Sequence, residues 1–275
     1  RRAIHCHLLN LGHPWKILAA GRSTPMPDIH QFPYGSDNYG VLLHDPQTGA
    51  TALVDAGDAQ AALDALQDTG WSLSQIWLTH HHGDHIAGTA AIVEATGARV
   101  IGPTHISHVT DAVNDGDSFD FAGTVVTVIA TPGHTLDMLN YHIAADNLLF
   151  TGDTLFAMGC GRLFEGDAAM MWDSLSRLML LPDDTIIYCG HEYTAANADF
   201  ALSVDPGNEA LQRRAAAVRD LRAIDQPTIP TMMALEKLTN PFLRAADPAI
   251  RQHLGMTDDG DAAVFAEIRS LKDNF

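Results

Sequence analysis

Four side chains able to bind a metal crowd into six residues: His80, His82, Asp84 and His85, within Thr79-His80-His81-His82-Gly83-Asp84-His85. The segment follows directly on the apolar run Ile76-Trp77-Leu78, so it emerges from the core. Such a concentration of polar groups is costly to bury unless a cation sits among them. A divalent metal site, with enough donors here for two metals, is the economical explanation. On a helix His80 and His82 would point about 200° apart, whereas on extended chain they project to one side. The spacing therefore predicts a strand end running into a loop, with Gly83 allowing the turn. Asp84 and His85 then face a second point, and His81 projects elsewhere.

Four more polar residues leave strand-like runs in the same manner, each with a glycine within two residues. They are His134 in TPGHT, Asp153 in FTGDT, His191 in YCGHE and Asp55 in LVDAG. In α/β folds such exits gather at one sheet edge and carry function. A lone histidine is ordinarily a hydrogen-bonded core or surface residue, and His44, His105, His108, His142 and His253 are read that way. The cluster at 80–85 and the recurring Gly-His and Gly-Asp exits stand apart from them.

The elements that must position these groups alternate along the chain. Val41 to Leu43, Ala52 to Val54, Ile76 to Leu78, Arg99 to Ile101, Val125 to Ile129, Leu139 to Ile143, Leu148 to Phe150 and Ile186 to Tyr188 read as strands. Ala59 to Thr69, stopped by Gly70, Ala87 to Thr96, and Ala169 to Leu180 read as helices. After Gly190 the strand signal stops. Thr194 to Val204, Asn208 to Ile224, Asp247 to His253 and Asp261 to Leu271 read as helices. The pattern is a mixed α/β body with an all-helical tail.

Composition limits the function. The 275 residues, 46% hydrophobic, allow a sizeable core and two domains. No apolar run approaches the roughly 20 residues that span a bilayer. Cys6, Cys160 and Cys189 show no paired spacing, which argues against a disulfide framework and for a reducing, cytoplasmic setting. A net charge of -18 excludes a nucleic-acid partner, which needs a basic footprint. The charge is uneven: Arg99 is the only Lys or Arg between Met26 and Gly161, but nine follow Gly190, a basic subset able to serve an anionic ligand. Residues 1–25 hold four basic and no acidic residues. They read first as a start placed too far upstream, otherwise as a transit-like leader.

Taken together, FPYGSDNYGVLL, THHHGDHIAG, TPGHT, LFTGDTLFAMGCGRLFEG, CGHEYT, DPGNEAL, NPFLR and IRSLKDNF resemble the metallo-β-lactamase fold superfamily and, within it, glyoxalase II, the hydroxyacylglutathione hydrolases. The resemblance runs from about residue 29 to Phe275. It implies an α/β fold: an αββα sandwich over 26–190 with the catalytic site, then a small helical substrate-binding domain over 191–275. It implies a dinuclear site in which His80, His82 and His134 hold one metal and Asp84, His85 and His191 the other. Asp153 bridges both, and Asp55 orients ligands from behind. Zinc is expected first, with iron or manganese compatible with the same N/O donors. A metal-bound hydroxide, held by Asp84, would attack the thioester of S-lactoylglutathione to give glutathione and lactate, the second step of methylglyoxal detoxification.

The resemblance also places Arg162, Phe164, Tyr193, Arg269 and Lys272 at the glutathione, with the last two at i and i+3 of the final helix. A monomer acting on a small molecule, away from membranes, is expected. Departures stand at Phe164, where relatives often carry Tyr, and at Arg162, where Lys is common. Asp137-Met138 stands where many relatives continue with Gly-His. Cys160 has no partnering base in the sequence and reads as structural. The alternatives are a lactonase or other thioesterase of the same fold, a mononuclear iron persulfide dioxygenase, and a metal-binding protein without catalysis.

Overall fold

Val41 and Leu43 point one way along their strand and Leu42 the other, yet all three are buried. Strands covered on both faces belong to the inside of a layered structure. The structure, a computed structural model, describes residues 26–275. The extension expected over 1–25, with Cys6, lies outside the described residues.

In chain order the strands and helices are β1 (Asp28–Tyr34), β2 (Asn38–His44), β3 (Thr51–Val54), α1 (Ala59–Thr69), β4 (Leu73–Trp77), α2 (Gly83–Ile86), α3 (Thr89–Thr96), β5 (Arg99–Gly102) and β6 (Asp111–Ala112). There follow β7 (Ser118–Phe121), β8 (Thr124–Ala130), β9 (Leu139–Ile143), β10 (Leu148–Gly152), β11 (Leu155–Phe156), β12 (Gly159–Cys160), α4 (Ala168–Leu178) and β13 (Ile186–Cys189). The tail holds α5 (Thr194–Val204), α6 (Glu209–Arg222), β14 (Thr231–Met232), α7 (Met233–Thr239), α8 (Pro248–Leu254) and α9 (Asp261–Asp273).

One sheet runs β1-β2-β3-β4-β5-β6, the other β14-β13-β10-β9-β8-β7. Their inner faces meet through Val41, Leu43, Val54, Trp77 and Ile101 on one side and Val126, Val128, Tyr141, Leu148 and Phe150 on the other. Trp77 fills the centre, with the Phe121 and Tyr141 rings at 5.4 and 5.6 Å. The outer face of the first sheet (Leu42, Leu53, Ile76, Val100) is covered by Ala62, Ala65 and Leu66 of α1 and Ile92 of α3. That of the second (Leu149, Ile187) is covered by Met171 and Leu175 of α4 and Phe265 and Ile268 of α9. The result is the expected αββα sandwich with helices added at its C-terminal end. No helix among the described residues is long and apolar enough to cross a membrane.

Local signals set the helix ends. Asp58 caps α1 by accepting from Ala61 N, and Gly70 ends it in the left-handed conformation. Asp167 and Asn208 cap α4 and α6 in the same way.

Three expectations need correction. Strand pairing does not stop at Gly190, because the two-residue β14 pairs antiparallel with β13. Two residues are too few to leave a periodic signal. The chain from Gly83 is a helical turn rather than a loop, closed by Ala87 N to Gly83 O at 2.8 Å. Its four residues are shorter than any helical period can register. The helix α7 and the edge strands β1 and β7 also lay beneath the pattern.

The helical tail is joined to the sandwich through a buried charge. Arg214 of α6 donates to Glu236 of α7 and to Thr231 and Thr239. Glu236 also accepts from Met158 N, in the turn between β11 and β12, at 2.8 Å, and from Asn240 Nδ2 at 3.1 Å.

Candidate metal centre

Each expected ligand is delivered by the end of an element. β4 ends at Trp77, and Thr79 then hydrogen-bonds across to the second sheet, with Leu139 N donating to its carbonyl at 2.8 Å. Asp55, leaving β3 with φ of 58°, accepts from Thr79 N at 2.8 Å and from the Thr79 hydroxyl at 3.0 Å. That φ is one Asp tolerates better than most residues. Its other oxygen faces His85 Nδ1 at 2.8 Å. One carboxylate thus fixes the strand exit and a histidine at once. The turn α2 is pinned from below, with Ala56 N to His85 O at 2.7 Å and the Tyr34 hydroxyl to Asp84 O at 2.8 Å.

The seven groups converge. His80, His82 and His134 bring ligand atoms within 4.8 Å of one another, as do His80, His85 and Asp153, and Asp84, His85 and His191. His82 Nδ1 lies 3.0 Å from His134 Nε2, and His85 Nε2 lies 3.3 Å from His191 Nε2. Asp153 sits between, with Oδ1 at 3.4 Å from His85 Nε2 and Oδ2 at 3.5 and 3.3 Å from the Nε2 atoms of His134 and His191. Asp84 Oδ2 is 3.4 Å from Nε2 of both His85 and His191. Gly190 makes room for this: a Cβ there would lie 2.6 Å from Asp153 Oδ1 and 2.8 Å from the His85 ring.

These spacings fit a divalent metal. Nitrogens at about 2.0–2.1 Å from a tetrahedral zinc stand about 3.4 Å apart. Buried His80 Nε2 and Asp153 Oδ1 have no hydrogen-bond partner among the described residues, which a buried polar atom avoids unless another ligand satisfies it. The outward nitrogens are engaged instead: His80 Nδ1 with Thr79 Oγ1 (2.9 Å), His134 Nδ1 with Arg162 O (2.8 Å) and His191 Nδ1 with Asp37 Oδ1 (2.8 Å). Such partners fix ring orientation and tautomer.

The two sides differ in protonation. Burial, reinforced by neighbouring imidazoles, pushes His80 well below its ordinary value, and His82 and His134 are also lowered, burial first among the causes. Burial would lower His85 too, but the charges of Asp153 and Asp55 outweigh it and hold His85 well above the ordinary value. His191 is raised by Asp153 against the same burial. Metal uptake on the Asp84–His85–His191 side would therefore release more protons than uptake on the His80–His82–His134 side. Lowering pH should weaken divalent-metal binding on the former side first, by about tenfold per pH unit for each proton displaced. Calorimetry in buffers of different ionisation enthalpy counts those protons, and equal release for both metals would contradict the asymmetry.

Around the cluster, Tyr193 stacks on His191 with ring centroids 4.7 Å apart and 5° between planes. Burial and Asp37 push its hydroxyl up to about 12. Exposed Phe164 presents its ring to His82 and His134 at 5.5 and 5.3 Å. Arg162 is exposed, 3.4 Å from Asp273. Lys272 reaches Ala196 O at 3.2 Å and lies over Phe200 and Phe275. Arg269 is buried: it donates to Cys160 O at 3.0 Å and to Asp273 at 2.8 Å. Arg162 and Arg269 thus share Asp273. Cys160 is buried and free, its thiol pushed up to about 11 by burial, so it is no nucleophile at neutral pH. His81 turns away from the cluster, as expected, to Asp137 and Glu165.

Sequence reasoning missed Asp37 and Asn38. Asp37 holds His191, and Asn38 Nδ2 donates to Asp84 Oδ2 at 2.9 Å. Asp37 lies in the tight turn after β1 and Asn38 is the first residue of β2, where no strand or helix periodicity has yet begun to mark a side chain's direction.

Known proteins resemble this chain in sequence and in fold. The family model described as hydroxyacylglutathione hydrolase C-terminus matches residues 192–275, and that of the metallo-beta-lactamase superfamily matches 37–111 and 102–191. A hydroxyacylglutathione hydrolase of Rhizobium meliloti (strain 1021) is 59% identical over 244 residues, covering 87% of this chain and 95% of the relative. The chain belongs to the hydroxyacylglutathione hydrolase family, within the metallo-β-lactamase superfamily. A second relative of that name, from Maricaulis maris (strain MCS10), is 54% identical and covers 90% of the chain and 98% of itself. Among solved structures, ETHE1 from Myxococcus xanthus superposes with a TM-score of 0.65 at 27% identity, over 88% of this chain and 90% of that one.

Proposed function

We propose that this hydroxyacylglutathione hydrolase family member cleaves the thioester of S-(2-hydroxyacyl)glutathione, with S-lactoylglutathione as substrate, releasing glutathione and a 2-hydroxy acid. The observation that carries the reading is Asp153 set between two triads of convergent ligand atoms. Relatives more than half identical bear the hydrolase name, which favours it over the lactonase and persulfide dioxygenase alternatives. We assign His80, His82 and His134 to one metal, Asp84, His85 and His191 to the second, and Asp153 to both. Zinc is our first choice, and iron or manganese suits the same donors. Bound there, the metal pair supplies a water acidic enough to act as hydroxide near neutral pH and a Lewis acid for the thioester carbonyl.

The protein's own groups do the rest. Asp84, half-exposed and steadied by Asn38, accepts a hydrogen bond from the attacking water and aims it. Asp153 stays ionised: although burial opposes it, the neighbouring His85 and His191 hold it well below the carboxylate range. The departing thiolate is a stable leaving group and needs little help from an acid. Tyr193 keeps its proton at neutral pH and offers it to the glutathione portion, while Phe164 shields the His82–His134 side from water.

We propose a division of labour between a catalytic body, 26–190, completed by His191 at the first position of the tail, and a substrate-holding tail, 191–275. The glutathione carboxylates are met by Arg162 and Lys272. Arg269 serves them from within by holding Cys160 O and Asp273. The working form is a monomer in a reducing, cytoplasmic compartment, free of nucleic acid and membrane.

Hydrogen bonds to charged groups contribute about 1.5–3 kcal/mol. Arg162→Ala should therefore raise KM by about tenfold to a hundredfold with kcat largely kept, and a fall in kcat at unchanged KM would contradict a binding role. The reading as a whole is tested by optical assay of S-lactoylglutathione hydrolysis beside a simple lactone. Chelator-sensitive turnover of the thioester alone supports it. Turnover of the lactone alone rejects it.

A further inference from the structure

We propose a further metal site, separate from the catalytic cluster, formed by His81, His105 and Asp137 and suited to zinc. Their ligand atoms all lie within 4.8 Å of one another. His81 Nδ1 is 3.0 Å from Asp137 Oδ1, and His105 Nε2 is 3.1 Å from Asp137 Oδ2. The two imidazole centroids are 5.9 Å apart, so both rings address one carboxylate from different sides.

Asp137 points to a ligand independently. Its side chain is only 10% exposed, and its Oδ2 is buried without accepting a hydrogen bond of sound geometry among the described residues, despite the nearby His105. A buried carboxylate oxygen left so calls for a partner. A metal facing both oxygens and the two imidazoles would satisfy it.

The surroundings resemble those of built histidine sites. With His81 Nδ1 turned to Asp137, its Nε2 faces Glu165 Oε1 at 3.3 Å. Glu165 is itself fixed, its other oxygen accepting from Leu136 N at 2.8 Å. This is a carboxylate–histidine pair of the kind that orients ligands from behind. Two nitrogens and a carboxylate are a zinc donor set with positions left for water. His105 at 56% exposure and His81 at 35% leave the site open to ions from solution.

The site draws together three connections that the catalytic cluster also uses. His81 lies between His80 and His82, Asp137 lies three residues past His134, and Glu165 follows Phe164. The site does not depend on the catalytic assignment. A metal bound here would be counted whatever the substrate proves to be.

The test adds zinc to the holoenzyme, already carrying its tightly held metal, and measures the additional zinc bound by equilibrium dialysis with elemental analysis. Wild type should take up one further zinc per chain. Losing an outer partner alone weakens a metal site by about 10–100-fold, so His105→Ala, which removes a direct ligand, should weaken the extra zinc by at least that much. Its tightly held metal and its basal turnover should not change. Asp137→Asn should do the same. No further zinc in wild type, or the same further zinc in both variants, overturns the site. Because His105 is exposed, its replacement leaves folding intact, and a melting curve on that variant checks this.

Discussion

Asp153→Asn is expected to cost the enzyme its metals and its turnover together. Asp153 is buried, and its two oxygens face His85 on one side and His134 and His191 on the other. The amide keeps the volume but removes the one negative charge shared by both triads, and it turns an N–H₂ toward imidazoles. Breaking a buried charge pair from one side costs about 3–5 kcal/mol, or about a hundredfold to several thousandfold in metal affinity. Elemental analysis after dialysis against a weak chelator, with kcat/KM on the same sample, reads both effects. Full metal content in the variant would sink the bridging role of Asp153. Full metal with lost turnover would move Asp153 from holding metal to aiming water.

The second large effect is structural. Arg214→Met should destabilise the chain by about 3–5 kcal/mol, because it leaves the fully buried Glu236 carboxyl without its cation. For a protein of this size that corresponds to about 6–20 °C in Tm. Because Glu236 also holds Met158 N and Asn240, the damage should spread from the helical tail to the β11–β12 hairpin. Thermal unfolding followed by circular dichroism measures it, and a loss below 1 °C would show that the ion pair is dispensable. The double variant Arg214→Met with Glu236→Gln should recover much of the loss, since the amide oxygen still accepts from Met158 N and no buried charge is left unpaired.

The convergence of the cluster's side chains was legible in the sequence because they sit at strand exits marked by glycine, and exits of an α/β sandwich converge by topology. His80 and His82 on extended chain, His134, Asp153 and His191 after their strands, and Asp55 behind them all follow from that. What a linear pattern could not carry was direction within short turns. Gly83–Ile86 is one helical turn, too short for periodicity, and Asp37 in a tight turn and Asn38 at the start of β2 reach His191 and Asp84. Arg269 shows the same limit in reverse. Its place on one face of α9 with Lys272 was readable, but its burial against Cys160 O depends on packing across 109 residues of chain. His105 looked like an ordinary surface histidine because its partners, His81 and Asp137, lie far off in sequence.

The measurement that bears most directly on the centre is stepwise zinc reconstitution of the metal-depleted chain, with bound metal and S-lactoylglutathione turnover read on each sample. Turnover that rises to its plateau as the second zinc per chain is taken up, and is then indifferent to further zinc, is the predicted result. Full turnover at one zinc per chain, or turnover that survives with none, would contradict a paired-metal centre built around Asp153.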